Sequence, residues 1–68
     1  MCHKQIEITT YDRLLRAWEN SMEAVRDFQN YADITEDNDK AKKAFYEFAE
    51  TNAHNASAFR DLLLEYKK

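Results

Sequence analysis

Residues 45–66 read FYEFAETNAHNASAFRDLLLEY. Within them Phe45, Phe48, Asn52, Asn55, Phe59, Leu62 and Tyr66 follow at steps of three and four. That spacing marks the stripe of a helix laid against other helices. Five of the seven positions are aromatic or aliphatic and the middle two are amides. A buried amide without a partner costs roughly 1–3 kcal/mol. Asn52 and Asn55 are therefore expected to meet polar groups, water or a ligand, or to fix helix register.

Toward the N-terminus a second stripe runs through Leu14, Trp18, Ser21, Val25, Phe28 and Ala32, flanked by Tyr11, Leu15 and Met22. Thr9 and Asp12 have the form of a capping box, with Asp in place of the usual Glu. They predict a helix from there to about Ala32 or Asp33. Polar residues then cluster from Asp33 to Asp39. Thr35 or Asp37 is expected to cap a second helix running from about Asn38 to Tyr66. The acids Glu36, Asp37 and Asp39 suit its N-terminus, and Lys67 and Lys68 its C-terminus. Residues 1–8 read as an irregular or extended lead-in and residues 9–68 as one helical hairpin domain. Glycine and proline are absent, so no backbone chemistry interrupts either helix.

A short linker makes two long helices antiparallel neighbours. A turn centred near residue 36 places Trp18 level with Asn55, Ser21 with Asn52 and Val25 with Phe48. Trp18, Ser21, Asn52 and Asn55 then form a polar layer at mid-length, a candidate ligand site or register device. Apolar residues outside the stripes, Leu15, Met22, Ala49, Ala56 and Leu63, imply a second surface to bury. A chain of 68 residues buries only about 60% of its unfolded surface and is marginal alone. Its single cysteine excludes an internal disulfide, leaving association or a metal. The expected architecture is all-α, a long antiparallel helical hairpin that dimerises into a four-helix bundle.

The net charge of −3 is too modest and of the wrong sign to favour nucleic acid. The longest apolar run, Leu62 to Leu64, is far too short for a membrane span. Met1 to Gln5 lacks the apolar core of a signal peptide, so a cytoplasmic location is expected. Glu50 and His54 stand one turn apart but on the solvent face, and read as a surface pair. Met1-Cys2-His3 has the spacing of a copper or nickel motif and reads as an uninformative start. The sequon Asn55-Ala56-Ser57 is set aside for want of a secretory signal. Lys40, Lys42 and Lys43 read as solvated surface. No Ser/His/Asp set, glycine-rich phosphate loop or Cys/His metal spacing occurs, so neither catalysis nor a cofactor or metal is expected.

The run Phe45-x-x-Phe48-Ala49-Glu50-x-Asn52-x-x-Asn55-Ala56-x-x-Phe59-Arg60-x-Leu62-Leu63 resembles the second helix of a rubrerythrin-like, ferritin-like hairpin. Ser21-x-x-Ala24-x-x-x-Phe28 is similar to the family's Glu-x-x-Ala segment on the first helix. The resemblance covers residues 18 to 66. It implies a di-iron centre held in a bundle core, with Ser21, Asn52 and Asn55 at the ligand positions. All three have lost the carboxylate or imidazole the metal needs, so the shape is expected without the site.

The resulting expectation is a non-enzymatic protein–protein interaction, scaffold or regulatory module working as a homodimer. Its acids Glu19, Glu23, Asp27, Glu47 and Glu50 would face a partner with a basic surface. One rival is a ferritin-like iron or redox protein with a rearranged metal site. Another is a small-ligand binder using the polar layer.

Overall fold

The computed structural model describes residues 8–66, and they form two helices. Helix α1 spans Thr10–Ile34 and helix α2 spans Asp39–Glu65, with Thr35 to Asn38 between them. At 1.5 Å per residue each is about 40 Å long. They lie against each other along their whole length as an antiparallel hairpin. The lead-in expected over residues 1–8 and the pair Lys67 and Lys68 fall outside the described residues, apart from Ile8.

The ends of the helices follow from local hydrogen bonds. Thr9 is the N-cap of α1, its hydroxyl accepting from the Asp12 N–H at 3.2 Å. Asp12 returns the bond, its carboxylate accepting from the Thr9 N–H at 3.1 Å. This closes the capping box. The Thr9 N–H, and after it the Thr9 hydroxyl donating to the same carboxylate at 3.0 Å, hold the Asp12 carboxyl below the usual carboxylate range. At the turn the cap differs from both expected residues. Asn38 fills the position, its side-chain oxygen accepting from the Ala41 N–H at 2.9 Å. Thr35 instead closes α1, its hydroxyl donating to the Tyr31 carbonyl at 2.6 Å.

Lys42 corrects the expectation of a solvated surface lysine. It is half-buried, and its Nζ donates to the Ala32 carbonyl at 2.6 Å and more weakly to the Thr35 carbonyl at 3.4 Å. The last turn of α1 carries no basic residue, yet its free carbonyls and negative dipole end attract a cation. The neighbouring helix supplies it. The same ammonium stands 5.7 Å from the centre of the Tyr46 ring.

The α1 seam is the one expected, with Ser21 and Ala32 buried and Leu14, Trp18, Val25 and Phe28 half-buried. The α2 seam is displaced. Its buried residues are Ala49, Ala56 and Leu63, with Phe45, Asn52 and Phe59 half-buried between them. Phe48, Asn55, Leu62 and Tyr66, expected inside, are exposed. The pairing is displaced too. Tyr11 meets Tyr66, and Phe48 and Phe45 meet Phe28 and Tyr31 respectively. These pairs centre the turn near residue 38 rather than 36. Alanine on the α2 side lets two helices approach closely, and the bulk at the contact sits in aromatic pairs toward either end. The described chain is 13 Å thick in its narrowest direction, the thickness of one layer of helices. Among the described residues both broad faces of the hairpin are therefore open.

Candidate functional site

The four residues expected to form a polar layer do not converge within one hairpin. Ser21 is buried on the α1 seam. With the turn centred near residue 38 it stands level with Asn55 rather than Asn52, and Asn55 faces outward. Asn52 is half-buried and turns its amide back onto its own helix, Nδ2 donating to the Phe48 carbonyl at 2.9 Å. Asn55 is exposed. Among the described residues no hydrogen bond joins these three, and no buried side-chain nitrogen or oxygen lacks a partner. Trp18 is half-buried and helps to line a shallow groove of about 300 Å³ with Met22, Val25, Ala53, Ala56, Ser57 and Arg60. That groove holds none of the three polar residues, and its volume is at the lower limit for a ligand pocket.

The five acids are all exposed but do not make one patch. Helical geometry puts Glu19 and Glu50 on one broad face, Asp27 on the other, and Glu23 and Glu47 along the outer edges. Glu50 and His54 are both exposed. Among the described residues no group of three His, Cys, Asp or Glu side chains lies close enough to hold a metal ion.

The two broad faces differ in chemistry, and this contrast escaped the sequence reading. One face carries the groove beside Trp18 and a second hollow lined by Gln29, Tyr46, Ala49, Glu50 and Ala53. The Tyr46 hydroxyl donates to the Asp33 carboxylate at 3.0 Å. That bond, with the carboxylate's charge, pushes the Tyr46 phenol above its ordinary value. Met22 and Leu64 are exposed here, but among charges: Asp12, Glu19, Arg26 and Asp33 from α1, and Lys43, Glu50 and Arg60 from α2 share the same side by helical spacing.

The opposite face is almost free of charge. From α1 it carries Ala17, Ala24 and Tyr31, with Ile34 and Arg16 at its outer edge; from α2 it carries Ala41, Ala44, Phe48 and Leu62, with Ala58 and Lys40 at its outer edge. Asn20, Thr51 and Asn55 are its neutral polar residues, and Arg13, Asp27 and Glu65 lie at its margin. Its large side chains stand well out of the hairpin, with Ile34 67%, Phe48 54%, Leu62 43% and Tyr31 42% exposed. Tyr31 and Phe48 both rest on Phe28, at ring-centre distances of 6.2 Å, so the aromatic end of the seam continues without a break onto this face.

Searches against protein-family models, curated proteins and solved structures return no match. Among the described residues no helix is long and apolar enough to cross a membrane.

Proposed function

We propose that this chain is a non-enzymatic helical interaction module that works as a homodimer, two hairpins closing into a four-helix bundle. The observation that carries this reading is the open, nearly charge-free face bearing Tyr31, Ile34, Phe48 and Leu62. Contiguous apolar surface of this kind marks an association site, and among the described residues nothing else covers it. In the bundle Glu19, Glu23, Glu47 and Glu50 stay exposed and offer a basic partner protein an acidic exterior, with Asp27 at the rim. The likeness to the rubrerythrin-like hairpin belongs to this reading as a shape retained without its metal. The single cysteine fits a reducing compartment such as the cytoplasm.

Melting followed by circular dichroism over a hundredfold dilution series tests the proposal. Coupled folding and association make the midpoint rise with concentration, and a constant midpoint would refute the homodimer. Elemental analysis of protein grown with added iron, manganese and zinc separates it from the rival iron-handling function. Substoichiometric metal is expected. One ion per chain, lost on Asn52→Ala or Glu50→Ala, would establish the rival instead.

A further inference from the structure

The homodimer proposed above leaves open which face is buried and how the two hairpins are arranged. We infer that the second copy docks on the face bearing Tyr31, Ile34, Phe48 and Leu62, with the hairpins antiparallel, so that each turn lies over the partner's open end.

The choice of face follows from where α2 points. Its strongest apolar stripe, through Phe45, Phe48, Phe59 and Leu62, is not centred on the seam with α1. At 100° per residue it is rotated about 70° from the line of Ala49, Ala56 and Leu63 toward this face. A helix in a four-helix bundle points its apolar stripe between two neighbours, and the stripe of α2 lies between the directions of α1 and of a partner seated here. The area is sufficient. A helix pair about 40 Å long and about 20 Å wide presents roughly 800 Å², the share of one partner in an interface of standard size. The charge pattern selects a second copy as the occupant. A face with charge only at its margin gives a strongly charged partner nothing to pair with, whereas two such faces cover each other without desolvating an ion pair.

The orientation follows from side-chain volume. Take a twofold axis lying across the hairpin, through Ala24 on α1 and the level of Asn52 on α2. The turn centred near residue 38 puts those two positions side by side, so one axis serves both helices. Each helix then packs antiparallel on its own copy. Tyr31 comes level with the partner's Ala17, Ala24 with its own counterpart, and Leu62 with the stretch between the partner's Ala41 and Ala44. Large residues meet small ones on both helices, the interdigitation that close packing requires. A parallel arrangement would stack Tyr31 against the partner's Phe48 and leave alanines facing polar residues near the middle. The antiparallel axis also carries Asn55 into the bundle interior, opposite the partner's Phe48.

Two measurements test the inference. In the first, dissociation constants are compared for Phe48→Lys and Met22→Lys, exposed positions on opposite faces. Phe48→Lys should weaken the dimer at least about 30-fold, the loss expected of a hot-spot residue, and Met22→Lys should stay within about threefold of the parent. The reverse pattern would overturn the face while leaving the homodimer intact; a parent chain that is monomeric would overturn the homodimer itself. In the second, a spin label on Asp37→Cys in a Cys2→Ser background reports the distance between the two turns and does not touch the interface. The antiparallel arrangement gives about 40 Å, one helix length. A distance under about 20 Å would show the hairpins parallel and overturn the orientation, even if Phe48→Lys failed to fold.

Discussion

Replacing Lys42 by methionine isolates the cap that α2 supplies to α1. The substitution keeps the length of the side chain and removes the ammonium that donates to the Ala32 carbonyl at 2.6 Å. A hydrogen bond from a charged donor contributes about 1.5–3 kcal/mol, and a cation at a helix C-terminus about 0.3–1 kcal/mol. Lys42 is only half-buried, so water replaces part of that bond when it is lost, and methionine recovers some packing on Tyr46. The net cost is therefore about 1–2 kcal/mol. For a chain of this size each kilocalorie lowers the melting midpoint by about 4–8 °C, which puts the expected fall at roughly 5–15 °C. The assay is thermal unfolding by circular dichroism at fixed protein concentration, with Lys43→Met as the control. Lys43 is exposed, and its loss should stay within about 0.5 kcal/mol. Equal midpoints for the two variants would refute the cross-helix cap.

Asp12 and the two amides give further tests. The Asp12 carboxyl is held low by bonds from Thr9, so its contribution to stability is present above the unfolded value of 3.8 and fades as pH falls through the lower folded value. Thr9→Val should bring the Asp12 titration back toward 3.8, as followed by carboxyl NMR shifts; an unchanged titration would mean the backbone bond alone sets it. Asn52→Leu should raise the melting midpoint of the hairpin, because a half-buried amide bonded only within its own helix gives way to apolar burial. Asn55→Leu should act on association instead, lowering the dimer dissociation constant, since Asn55 stands on the open face. Identical effects of the two substitutions in both assays would contradict their placement on different surfaces.

Much of the hairpin was legible from the chain because its signals were local. Thr9 and Asp12 encode the start of α1 through bonds three residues apart, and Leu14 to Ala32 mark its seam because that helix has one dominant neighbour there. The α2 seam was misplaced for a physical reason. Phe48, Asn55 and Leu62 are apolar or aligned enough to mimic a seam, yet they serve a second surface. A stripe read from sequence averages every surface that a helix covers. The small residues Ala49 and Ala56, which form the true contact, carry little hydrophobic signal. Lys42 was unreadable for a different reason: its partner carbonyl lies across the turn, and no spacing rule links a lysine to a backbone group on another helix. The polar layer failed as a unit within one chain because the rotation of α2 takes Asn55 off the seam while Asn52 remains on it.

Sedimentation equilibrium of the unmodified chain at about 10 μM, with helicity recorded on the same sample, tests the central claim most directly. The account predicts a mass twice the chain's 8.1 kDa, because a single hairpin leaves its apolar, sparsely charged face uncovered. A fully helical species at 8.1 kDa would contradict it, since the face bearing Phe48 and Leu62 would then be stable in water without a partner.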